Sequence, residues 1–103
     1  MLDLTNENFN DFISSEEETV VVEFWANWSR VCRQLTRSLS ALPNGLSNKV
    51  GRVLVEDEDN TFSICERYEI TCIPTLIYFK NGVETERSIG FQGSPPIIER
   101  LKK

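Results

Sequence analysis

Val20-Val21-Val22-Glu23-Phe24-Trp25 is a nearly unbroken run of β-branched and aromatic side chains. A strand that does not alternate between apolar and polar residues is buried on both faces, as in a parallel sheet covered by helices. The period then changes. Beyond the turn Ala26-Asn27-Trp28, the residues Cys32, Leu35, Leu39 and Leu42 recur at helical spacing until Pro43-Asn44-Gly45 supplies a stop. A strand therefore runs directly into a helix whose first turn carries a cysteine.

The flanking pattern is consistent with this. Leu2-Asp3-Leu4 alternates and predicts a short strand, and Thr5 and Asn6 are helix-capping types. Phe9, Phe12 and Ile13 follow at helical spacing, so the first helix is expected over 6–14, with Glu16, Glu17 and Glu18 in a solvated loop. Residues 50–55 predict a further apolar strand. The acidic run Glu56-Asp57-Glu58-Asp59 follows as a loop, and Asn60 or Thr61 caps a third helix whose inward face holds Ile64, Cys65 and Tyr68. Thr75–Lys80 reads as an alternating strand. Asn81-Gly82 is the strongest hairpin signal in the chain and joins that strand to Val83–Ile89. Gly90 and Gly93 break the pattern, Ser94 and Pro95 suit a helix start, and Ile97, Ile98 and Leu101 give the last helix an apolar stripe. The order β-α-β-α-β-α-β-β-α predicts an α/β fold: a mixed sheet, mostly parallel with a C-terminal antiparallel hairpin, and helices on both faces.

Composition narrows the functional classes. The 103 residues, 40% of them hydrophobic, fit one domain over 1–103. There is no apolar run of about 18 residues and no signal-peptide pattern at the N-terminus, so a cytoplasmic protein without a membrane segment is expected. A net charge of -5 argues against nucleic-acid binding. The chain has no histidine, which removes Ser-His-Asp and Cys-His catalysis in their usual forms and the commonest zinc ligand. The acidic run lacks the glycine and distal glutamate of a calcium loop, and no metal or cofactor is expected. Cys32, Cys65 and Cys72 are odd in number and widely spaced, unlike a secreted disulfide framework.

Several motifs, taken together, resemble the thioredoxin family. Phe24-Trp25-Ala26-Asn27-Trp28 is similar to the lead-in to that family's redox motif, and Ile73-Pro74-Thr75 to its Ile-Pro-Thr, whose proline follows a cis peptide bond. Phe79-Lys80-Asn81-Gly82 resembles its hairpin, and Gly90 the glycine after the last strand. The resemblance spans essentially the whole chain and implies a thioredoxin fold and protein-disulfide reduction, with protein disulfides and thioredoxin reductase as partners. One position departs from the pattern. The family's Trp-Cys-Gly-Pro-Cys is here Trp28-Ser29-Arg30-Val31-Cys32, so the nucleophilic cysteine falls on Ser29 and the buried resolving cysteine on Cys32.

A serine hydroxyl stays protonated near neutral pH and forms no mixed disulfide, whereas the attacking species in thiol–disulfide exchange is a thiolate. Dithiol turnover is therefore not expected, whether the serine arose by natural divergence or by an introduced Cys-to-Ser change. Two other readings stay open: a redox-inactive binding module, and a monothiol sensor using Cys32 or Cys72. Arg30 and Arg33 flank Cys32 and favour its thiolate, although a positive charge opposes the helix dipole there. They read either as solvated surface or as an adaptation to anionic partners. The resemblance puts Glu23 at the family's buried proton relay, with a pKa raised by desolvation expected. It also puts Trp28, Ile73, Pro74 and Thr75 on a substrate-docking surface. Cys72 is expected to be a surface thiol, with a Cys72-linked dimer or a Cys32–Cys72 pair as sharper alternatives. Cys65 is expected in the core.

Overall fold

The computed structural model describes residues 1–14, 18–43 and 45–102. Five strands form one sheet: β1 (Leu2–Asp3), β2 (Val20–Trp25), β3 (Val50–Leu54), β4 (Thr75–Lys80) and β5 (Val83–Ile89). Four α-helices accompany them: α1 (Phe9–Ile13), α2 (Arg30–Ser40), α3 (Glu58–Arg67) and α4 (Ser94–Leu101). The sheet order is β1-β3-β2-β4-β5. Pairings β1–β3 and β3–β2 are parallel, whereas β2–β4 and β4–β5 are antiparallel. The sheet is mixed, as expected, but its antiparallel part reaches one pairing further inward than the hairpin.

Alternate residues of β2 and β4 face opposite layers. Val20, Val22, Phe24, Ile77 and Phe79 join Phe9 and Ile13 of α1 and Ile64 of α3 in one core. Val21, Leu76 and Tyr78 join Leu35 and Leu39 of α2 and Ile97 and Leu101 of α4 in the other. The helices thus cover both faces, and β2 is buried along both, as its unbroken apolar run requires. β4 corrects the alternating reading. Thr75 to Phe79 are all buried, because the strand lies between β2 and β5 and under helices on both sides.

The helix starts shift for local reasons. The first helix spans Phe9–Ile13 rather than 6–14, because Thr5 and Asn8 are engaged with each other in the preceding turn, where the Thr5 N–H donates to Asn8 Oδ1 at 2.7 Å. α3 begins at Glu58 rather than after Asn60 or Thr61, which puts Glu58 and Asp59 in its first turn, where negative charge suits the dipole. Ser94 is the first residue of α4, and Gly93 occupies the cap position with φ 90°. α2 ends at Ser40, yet Leu42 still packs into the second core. Glu16, Glu17 and Asn44 lie outside the described residues, while Glu18 is exposed, 4.0 Å from Lys49 Nζ. Asn81 and Gly82 both take positive φ, as the two-residue hairpin turn demands. Among the described residues, no helix is long and apolar enough to cross a membrane.

Candidate functional site

The end of β2 delivers the chain to the start of α2, where Ser29 is the N-cap. Its backbone is extended, and its Oγ accepts the Cys32 N–H at 3.2 Å while its carbonyl accepts the Arg33 N–H at 3.2 Å. Capping satisfies one of the donors that a helix start leaves without an intrahelical partner, and serine is among the best residues for it. The hydroxyl is therefore a structural acceptor here, and Ser29 is buried. Cys32 has no exposed surface at all. Trp28, by contrast, is 71% exposed. The Asn27 N–H just before it donates to the Glu56 carboxylate, so the acidic run after β3 steadies the loop that leads into α2.

Ile73–Pro74 is a cis peptide bond, the Pro74 carbonyl accepts the Gly90 N–H at 2.8 Å, and the buried Thr75 hydroxyl donates to the Cys72 carbonyl at 2.6 Å. These bonds fix the segment before β4 on both sides of the proline. Among the described residues, no hydrogen bond uses the Ile73 N–H or carbonyl. Cys72 is exposed, as expected.

Trp28, Ile73 and Cys72 line one open groove of about 590 Å³ with Val55, Cys65 and Ile70. Cys65 departs from its expected core position. It is half-buried, packs against the first core and contributes to the groove wall, and burial pushes its thiol pKa up. Just beyond it α3 ends, where the Ile70 N–H folds back to the Cys65 carbonyl at 3.0 Å and Glu69 takes φ 53°. All three cysteines are free, and Cys32 is not among the groove residues.

Glu23 sits fully buried in the middle of β2. Its Oε1 accepts Arg52 Nε at 2.9 Å, and its Oε2 is buried with no hydrogen-bond partner among the described residues. Desolvation pushes its carboxyl pKa up, against the opposing pull of the Arg52 charge and hydrogen bond and, more weakly, of the nearby Thr36 hydroxyl. The expected direction is therefore found, but the contacts lead to Arg52 and not to Cys32: among the described residues, no hydrogen bond joins Glu23 to Cys32. Arg52 itself donates to Thr36 Oγ1 at 2.9 Å and lies over the Trp25 ring, 3.8 Å from its centroid. Sequence reasoning passed over Arg52. The available signal was register, since Arg52 is the β3 residue directly paired with Glu23.

A family model described as Thioredoxin matches residues 1–103. Curated relatives include the thioredoxin of Chlamydia trachomatis serovar D, 37% identical over 100 residues that cover 97% of this chain and 94% of the relative. The thioredoxin of Staphylococcus saprophyticus is 33% identical over 100 residues, covering 97% and 93%. Among solved structures, a mutant thioredoxin from Halobacterium salinarum superposes with a TM-score of 0.83 at 22% identity, covering 98% of this chain and 87% of that one. The thioredoxin of Malassezia sympodialis gives 0.78 at 23% identity, covering 100% and 92%. At those identities the structures speak to the fold alone.

Proposed function

Because this chain belongs to the thioredoxin family, we propose that it is a thiol–disulfide protein that holds extended segments of client proteins in the Trp28–Ile73 groove and reacts through Cys72 alone. The observation carrying this reading is the position of the thiols. Cys72 is exposed at the groove, whereas Cys32 has no exposed surface and lies behind a capping serine. The unengaged backbone of Ile73 offers a client strand one N–H and one carbonyl at the same place.

In the reaction, the Cys72 thiolate attacks one sulfur of a client disulfide. A Cys72–client mixed disulfide forms, and the client's other sulfur leaves as a thiolate that takes up a proton. A free thiol such as glutathione then attacks the mixed disulfide, restores Cys72 and leaves on the client sulfur. The reducing cytoplasm, where such thiols are abundant, suits this cycle. The Cys72 thiolate of a second copy can instead attack the Cys72 sulfur of the mixed disulfide, which forms a Cys72-linked dimer and releases the client sulfur as a thiolate that takes up a proton.

The test is to treat the wild type and the variants Cys32→Ser, Cys65→Ser and Cys72→Ser with oxidised glutathione, and to map the adducts by mass spectrometry. One glutathione on Cys72 is expected in every protein except Cys72→Ser. An adduct on Cys32, or turnover by the wild type coupled to thioredoxin reductase, would overturn the single-thiol reading. Restored reductase-coupled turnover in Ser29→Cys is expected if only the nucleophile is missing.

A further inference from the structure

Helix α2 is electrically unlike the rest of the molecule. It carries Arg30, Arg33 and Arg37, while all 16 Asp and Glu residues of the chain lie elsewhere. At 3.6 residues per turn the three arginines fall within an arc of about 60°, opposite the buried Cys32, Leu35 and Leu39. All three are exposed, and among the described residues none has a carboxylate within ion-pair distance. The other arginines of the sheet and of α4 are placed differently: Arg52, Arg87 and Arg100 each hold a glutamate.

Two of the three charges also sit where they disfavour the helix. Arg30 and Arg33 occupy the first turn or so of α2, against the positive end of its dipole, with no acidic residue there to offset them. The Arg33 guanidinium reaches back to the Asn27 carbonyl at 3.2 Å, beside Trp28 at the edge of the groove. The stripe thus begins at the groove and runs about 10 Å along α2. Its potential, screened over about 8 Å at physiological salt, covers that whole length.

We propose that this stripe docks an acidic segment of the client protein, adjacent to the segment lying in the groove. An extended chain rises about 3.3 Å per residue and turns alternate side chains the same way. The segment that fits therefore carries Asp or Glu at alternate positions over three to five residues, flanking the apolar stretch that contacts Trp28 and Ile73. This partner preference rests on the groove being the client site.

The test uses two short fluorescein-labelled peptides. They share an apolar half, and the other half carries Asp at alternate positions in one peptide and Asn in the other. Binding to the full chain is read by fluorescence anisotropy. The Asp peptide should bind the wild type about tenfold tighter than the Asn peptide, from a few exposed ion pairs acting together. That advantage should vanish at high salt and in Arg30→Gln/Arg33→Gln/Arg37→Gln, whose Asn-peptide affinity should match the wild type. Gln is a good helix former, and the variant's melting temperature verifies that it folds. Equal binding of the two peptides to the wild type, or a preference that survives in the triple variant, overturns the stripe and leaves the groove reading standing. Failure of both peptides to bind overturns the groove reading, and the stripe falls with it.

Discussion

Removing the Arg52 side chain strands a fully buried carboxylate. In Arg52→Ala, Glu23 loses its 2.9 Å partner, and its other oxygen is already without one among the described residues. Breaking a buried ion pair from one side costs about 3–5 kcal/mol, and the lost stacking over Trp25 adds up to about 1 kcal/mol. Against a domain stability of about 5–15 kcal/mol, that is a large fraction. Glu23 escapes the penalty by taking up a proton. Its pKa is raised by burial even with Arg52 present, and removing Arg52 raises it further. The sign follows from proton counting. Between the unfolded pKa, about 4.3, and the raised folded value, the folded state binds more protons. Glu23's contribution to stability is thus fully present below about pH 4.3 and is lost as pH rises through the folded value, at up to about 1.4 kcal/mol per pH unit. Arg52→Ala is therefore expected to be more destabilised relative to wild type at pH 7 than at pH 5. Urea unfolding at both pH values measures this, provided m is unchanged. The double variant Glu23→Leu/Arg52→Met should regain most of the loss at pH 7, because it leaves no lone charge. A deficit for Arg52→Ala below about 1 kcal/mol at pH 7, or one equal at the two pH values, would refute the reasoning.

Two other substitutions test the frame around the site. Ser29→Ala removes the acceptor for the Cys32 N–H and should cost about 1 kcal/mol, lowering Tm by roughly 4–8 °C in thermal unfolding followed by circular dichroism. An unchanged Tm would mean that the hydroxyl does not cap α2 in solution. Gly51→Ala should cost about 1–3 kcal/mol in urea unfolding, because the new methyl would lie 2.8 Å from Phe12 Cε2 and closer still to Leu4 Cδ1. A neutral result would show that β1 and α1 pack more loosely against β3 than described.

Local pattern carried most of the strands and little of the arrangement between them. The unbroken run of β2 and the Asn81-Gly82 turn are each complete within a few residues, so their reading needed no distant partner. β4 was expected to alternate, although Thr75 and Tyr78, three residues apart, point to opposite faces. Its burial depends on lying between β2 and β5, which no property of residues 75–80 encodes. Helix starts were misplaced where a residue fit for capping formed a side-chain bond within the preceding turn instead, as Asn8 does with the Thr5 N–H. The site divides along the same line. Trp28, Ser29, Cys32, Ile73 and Pro74 were legible as short motifs. Cys65 was assigned to the core from helical phase alone, whereas it stands half-buried on the groove wall with Val55 and Ile70.

Arg52 was illegible for a different reason: it lies 29 residues from Glu23, and only the parallel pairing of β2 with β3 brings them together. That pairing is in turn constrained by the two residues that face opposite layers at its centre. Gly51 turns toward Leu4 and Phe12, where even a methyl group does not fit. Arg52 turns toward Glu23, Thr36 and the Trp25 ring. A slip of β3 by one residue exchanges the two faces. Arg52 would then enter the apolar layer beneath α1, and Glu23 would keep a buried charge with nothing opposite but glycine or valine. Both errors cost several kcal/mol, and the native register avoids what either one-residue slip would incur. The buried pair thus adds little net stability over a hydrophobic pair of the same size, but it makes the neighbouring registers untenable. It thereby holds β2, and the Trp28–Cys32 segment that β2 delivers, at one fixed height beneath the groove.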